Sequence, residues 1–243
     1  MARIELRDCT IRFKDGLAGT GKLTSSPPSQ DATSMAIDTV VLNTLDTDQI
    51  PVGARFTVAQ ETSPQTHVVL TRTPSSGATT NITFSPKLGA GTYANDGNVT
   101  FAPQQLDIKI GDGNVTYTEH KEYQYLLERG DLDTVREGNE VPMDVKLDCV
   151  YEHITTGTAE TISPMDAIKG VGSASEWVSS ATDKCEPYAV DLEVEHEANC
   201  GTAQDETTLF PDFRPDTKEV NFKDATISVS GKCNATEPVV SRT

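Results

Sequence analysis

The 243-residue sequence predicts a mainly β protein with one packed helix, and three observations carry that expectation. Short stretches alternating apolar and polar residues recur along the chain. Gly, Asn, Asp and Pro clusters punctuate them, and only one segment combines helical spacing with capping residues.

The opening residues read as a strand with a change of phase. Ile4 and Leu6 share one face while Cys9, Ile11 and Phe13 fall on the other, which implies a bulge near Asp8 or a bent strand. Residues 15–34 are rich in Gly, Ser, Thr and Pro and read as a long loop. Residues 32–104 form an all-β pattern of their own, with strands in SMAIDTVVL, ARFTVAQ, THVVLTRT, TNITFSP and GNVTFAP. The turn signals between them are residues 50–53, 75–77 and 95–97. Three sections follow: an N-terminal strand and loop at 1–31, an inserted β domain at 32–104, and the remainder at 105–243.

Beyond Pro103, Leu106, Ile108 and Ile110 alternate with polar residues, and a GDGN turn follows. Val115, Tyr117, Tyr123, Tyr125 and Leu127 then keep one parity, which predicts a long hairpin with mostly one buried face. Val141, Met143, Val145, Leu147, Cys149 and Tyr151 predict another half-buried strand. The helix falls at about residues 164–178, with Ser163 as N-cap, Pro164 at N1 and Asp166 near the positive end of the helix dipole. Strands in YAVDLEVEHEA and DATISVSGKCNA close the chain.

Formal charge is −17 and unevenly spread: residues 105–243 carry 12 basic and 28 acidic side chains. Such a surface repels phosphate, which argues against tight nucleic-acid binding. The N-terminal residues lack the apolar core of a signal peptide, and no apolar run reaches the ~20 residues a membrane helix needs, so a soluble protein made in a cytoplasm is expected. Without export, the Asn-x-Thr sequons at Asn81, Asn98, Asn114 and Asn234 are expected to stay unglycosylated. Free thiols are the expected state of the five cysteines, although Cys185 and Cys200 bracket one strand region and could bridge in an oxidising compartment.

In VDLEVEHE, Asp191, Glu193, Glu195 and Glu197 share one face of a strand. The row reads either as an ordinary solvated face or as a negative strip lining a passage for another polyanion. A calcium site fits less well, because the row lacks the Asp/Asn/Gly loop that wraps a hard cation. No nucleophile–base, zinc or complete phosphate-cradling motif appears. GLAGTGKL has Leu where a P-loop needs a hydroxyl. No enzyme activity, metal or cofactor is therefore expected.

The order of segments resembles bacteriophage tail tube proteins. It runs from a bent N-terminal strand and Gly/Ser loop through YLLERGDLDTVREGNEVPMDVKLDCVYEHI, the capped helix SPMDAIKGVGSASEW, and CEPYAVDLEVEHEANCG to DATISVSGKCNA. Residues 1–25 and 105–240 carry the resemblance; 32–104 lie outside it as an added β domain. It implies a β-sandwich or barrel subunit of a viral tail, assembled in the host bacterial cytoplasm into stacked hexameric rings. It further implies a negative lumen through which DNA slides unbound, and no membrane. The implied partners are other copies, a tape measure protein, a tail terminator and tail-tip or baseplate proteins. On this reading Asp191, Glu193, Glu195 and Glu197 are candidate lumen acids. RGDLDTVREGNE is then a charged loop whose Arg129, Asp131, Arg136 and Glu137 meet neighbouring subunits. The rival readings are another virion β protein (a terminator or head-decoration subunit) and a secreted Ig-like adhesin using Arg129-Gly130-Asp131.

Overall fold

The computed structural model describes residues 9–43, 50–74, 79–129, 131–151, 162–181, 183, 185–196 and 205–242. Among the described residues the fold is mainly β, with one α-helix. The chain forms two compact units: residues 1–13, 106–153 and 189–243 in one, and residues 14–105 and 154–188 in the other. The second unit is thus larger than the 32–104 insertion expected from sequence, because an additional strand and the helix belong to it.

That unit is built on a closed six-stranded antiparallel barrel. Its strands are β2 (Gly19–Leu23), β3 (Ser34–Leu42), β4 (Arg55–Val58), β5 (His67–Pro74), β6 (Thr80–Ser85) and β7 (Asn98–Ala102), closing in the order β2-β3-β6-β5-β4-β7. Leu23, Ile37, Phe56, Val58, Val69, Ile82, Phe84, Val99 and Phe101 fill its interior. The five strands read from alternation are all present. β2 corrects the expectation of a loop across 15–34. Gly21 points inward there because a Cβ would lie 2.6 Å from Ile37 Cγ2, so this strand shows glycine where its neighbours show large apolar residues.

The helix α1 spans Pro164–Lys169 rather than 164–178. Ser163 caps it as expected, its Oγ accepting from Asp166 N at 3.1 Å. Gly170, at φ 61° with its N–H turned back on the Asp166 and Ala167 carbonyls, ends it. A 3-10 turn at Gly172–Ala174 follows. Asp15 is wholly buried in this unit. Its Oδ1 accepts from Gln104 N at 2.6 Å and Leu17 N at 3.2 Å, and its Oδ2 from Val178 N at 3.2 Å.

The first unit contains an eight-stranded sheet. Its strands are β1 (Cys9–Lys14), β8 (Gln105–Ile108), β9 (Val115–Thr118), β12 (Met143–Val150), β13 (Val190–His196), β14 (Glu206–Asn221), β15 (Thr226–Cys233) and β16 (Val239–Arg242). The order is β8-β1-β13-β14-β15-β12-β9, with β16 also on β14. Alternation gives it one apolar face, where Ile11, Phe13, Met143, Val145, Leu147, Val190, Leu192, Phe210, Phe213, Ile227 and Val229 are buried. β14 contains Pro211 and Pro215, residues that argue against a central strand; both sit at bulges, where two residues oppose one and the ladder is already interrupted.

Among the described residues, the remaining strands, β10 (Lys121–Glu128) and β11 (Asp131–Glu140), pair only with each other. RGDLDTVREGNE is therefore not a loop: Arg129 follows β10 in the turn, and Asp131–Glu140 is the returning strand.

Candidate functional site

Two surfaces of the first unit bring together the residues singled out from sequence: the polar face of the large sheet and the β10–β11 arm.

On the sheet, the four-acid row is not a strip of free carboxylates. A bulge sets Asp191 against Pro211 and Asp212, and Asp191 Oδ1 accepts from Asp212 N at 2.9 Å, where Asp212 adopts φ 51°. Asp191 thus serves the irregular backbone. Glu193 is 7% exposed and shares Arg12 with Glu195: Arg12 Nη1 lies 3.3 Å from Glu193 Oε1, and Nη2 lies 2.6 Å from Glu195 Oε2. Arg12 Nε also faces Asp107 Oδ1 at 3.4 Å, so the cluster crosses three adjacent strands, β8, β1 and β13. Glu197 lies outside the described residues. Alternation alone could not find this arrangement, because it required knowing that β1 lies beside β13.

The polar face continues across β14, β15 and β12. Arg214 stands opposite Lys232, which stands opposite Asp144. Glu219 stands opposite Ser228, which stands opposite Asp148. Directly paired residues share a face. Six carboxylates (Asp107, Asp144, Asp148, Glu193, Glu195 and Glu219) therefore interleave with four cations (Arg12, Lys146, Arg214 and Lys232). The face is negative in sum, but moderately so.

The arm departs further from expectation. Each β10 residue is exposed, so the hairpin does not have one buried face. The register places Tyr123 opposite Glu137, Tyr125 opposite Val135 and Leu127 opposite Leu132. Those partners define an apolar face on which Tyr125, Leu127, Val135 and Leu132 are 61, 63, 53 and 73% exposed. The other face carries Gln124 opposite Arg136, Leu126 opposite Thr134, and Glu128 opposite Asp131. Of the four candidate contact residues, Arg136 and Asp131 thus share the polar face, Glu137 stands on the apolar face, and Arg129 occupies the turn at φ 52°. Neither Arg129 nor Arg136 meets a carboxylate of its own chain among the described residues. At the base of the arm, His120 Nε2 lies 2.7 Å from Asp144 Oδ2, tying the entry to β10 onto β12.

Cys185 is an exposed free thiol, and Cys200 lies outside the described residues. Burial, and then the charge of Asp148, pushes the Cys149 thiol up to about 12. Burial, and then Asp191 and Asp212, does the same for Cys233. Among the described residues, no group of three or more His, Cys, Asp or Glu side chains could hold a metal ion, and no helix is long and apolar enough to cross a membrane.

No protein-family model, curated protein or solved structure matches this chain.

Proposed function

We propose that this chain is a structural, self-assembling virion protein, the major tail tube subunit of a tailed phage or a related particle, rather than an enzyme. The observation that carries this reading is the arm. A two-stranded ribbon is marginal in water on its own, yet this one exposes an apolar face of two tyrosines, two leucines and a valine. Covering those half-exposed side chains on a neighbouring copy would contribute on the order of 5 kcal/mol per arm at ~25 cal/mol per Å². Repetition around a ring multiplies that term. The polar sheet face, with more carboxylates than cations, supplies a surface along which DNA slides without sticking.

The test is electron microscopy and sedimentation of the purified chain, alongside the double variant Tyr125→Lys, Leu127→Lys. Hollow tubes from the unaltered protein, with small soluble species from the variant, support the proposal. Monomers at high concentration from the unaltered protein, or normal tubes from the variant, overturn it.

One observation favours the adhesin reading: the turn places Arg129 and Asp131, both exposed and oppositely charged, at the tip of the arm. Asp131→Glu separates the two. It abolishes cell attachment if Arg129-Gly130-Asp131 is read by a receptor, and leaves assembly intact if it is not.

A further inference from the structure

The second unit contains a buried pair that neither the assembly proposal nor any sequence motif uses. His67, the first residue of β5, is fully buried. It stacks on Phe56 with ring centroids 5.1 Å apart and meets the edge of Phe84 at 5.3 Å. Its Nδ1 lies 2.7 Å from the carbonyl oxygen of Pro86, which only accepts, so Nδ1 carries hydrogen. Its Nε2 lies 3.1 Å from Glu61 Oε1. Glu61 is buried too; its Oε1 accepts from Gly89 N at 2.7 Å and its Oε2 from Gln65 N at 3.0 Å.

These bonds fix a proton count. A neutral imidazole with hydrogen on Nδ1 would aim its Nε2 lone pair at a carboxylate oxygen, so two acceptors would face each other in a dry site. A proton therefore lies between Nε2 and Oε1. Two backbone N–H donors favour the charged carboxylate. The Pro86 carbonyl and the face of Phe56 favour the charged ring.

We propose that His67 is a buried imidazolium paired with the Glu61 carboxylate, and that the pair latches two connections together at one end of the barrel. It joins the β4–β5 connection (residues 59–66) to the β6–β7 connection (residues 86–97). Around it, Thr62 N donates to Ala90 O at 2.8 Å, Gln65 Nε2 to Lys87 O at 2.9 Å, and Tyr93 Oη to Gly89 O at 2.8 Å. The other charged or titratable groups about the latch are Tyr93, whose hydroxyl burial and the Glu61 charge hold above its usual range, and Asp31, paired with Lys87 at 2.7 Å. Without the second ring proton, Nε2 would face Oε1 as acceptor against acceptor, and the hold on Gly89 and Gln65 would loosen.

The test uses the intact, ¹⁵N-labelled chain at pH 7. Long-range proton–nitrogen spectra read the His67 ring, and hydrogen exchange reads the Gly89 amide against Val69 N, which is bonded to Ala54 O inside the barrel. Expected are hydrogens on both ring nitrogens at pH 7 and a Gly89 amide protected to within tenfold of Val69 N. In Glu61→Gln, whose side-chain amide can donate to a neutral Nε2, the ring carries hydrogen on Nδ1 alone at pH 7. A singly protonated ring in the unaltered protein at pH 7, including one with the shared proton on Glu61, overturns the proposal. So does a Gly89 amide that exchanges freely while Val69 N stays protected. The unaltered chain carries both readouts, so the proposal stays testable if the variant fails to fold.

Discussion

Asp15 makes the second unit's stability depend on pH in a direction opposite to that of most carboxylates. Burial pushes its carboxyl up from 3.8 to about 7, against the Val178, Gln104 and Leu17 amides and the Gln104 side chain, which pull it down. The folded state therefore holds the proton more tightly than the unfolded chain does. The associated stability is fully present below about pH 4, falls as pH rises towards 7, and is gone above that. A shift of roughly three pH units at ~1.36 kcal/mol each amounts to on the order of 4 kcal/mol.

Asp15→Asn removes that dependence at a fixed cost. The amide oxygen can still accept from Gln104 N and Leu17 N, but its NH₂ now faces Val178 N–H, and a buried donor left without an acceptor costs about 1–3 kcal/mol. The variant is thus expected to be less stable than the parent by about 1–3 kcal/mol at pH 4.5. At pH 8, where the parent has lost about 4 kcal/mol, the variant equals or exceeds it. The assay is urea unfolding at both pH values, followed by the emission of Trp177, the chain's single tryptophan and a neighbour of Val178. Comparing the two proteins cancels every carboxylate they share. Parallel stability profiles across pH 4.5–8 would refute the reasoning.

Arg12→Ala should destabilise the first unit by about 3–5 kcal/mol in urea unfolding followed by circular dichroism, because it removes the cation that the buried Glu193 carboxylate shares with Glu195. Adding Glu193→Gln should recover much of that loss, and a double variant no better than the single one would discredit the pairing. Cys149 and Cys233 should resist alkylation until urea unfolds the chain, whereas Cys185 reacts in the native protein; peptide mass spectrometry after brief labelling reads this directly. Ser163→Ala should cost about 1 kcal/mol by removing the helix cap, measured through Trp177 in the same unit.

The strands that carry the barrel were legible because each shows period-2 alternation between turn residues. β2 and β14 were hidden by their own solutions to local problems. In β2, Gly21 occupies an inward position where Ile37 leaves no room for a side chain. In β14, prolines occupy bulges where the ladder gives up hydrogen bonds anyway. The helix start was legible through Ser163 and Pro164, whereas its end at Gly170 needed the left-handed backbone to be seen. Asp15 and Arg12 left no local signal at all. Their partners lie far along the chain or belong to backbone amides, which have no letter in the sequence.

The arm was misread for a different reason, and it bears on assembly. Tyr123, Tyr125 and Leu127 keep the same parity as Val145, Leu147 and Cys149, yet the first set is exposed and the second buried. Periodicity reports that a face is suited to burial; it does not say which molecule covers it. Within β12 the cover is this chain's own core, and on β10 the same pattern finds no cover among the described residues. Surface strands without a partner need no apolar parity, because polar residues on both faces would keep them soluble. A sequence that keeps the parity on an arm this exposed fits the assembly proposed above, in which Arg136, on the arm's opposite face, would pair charges between subunits.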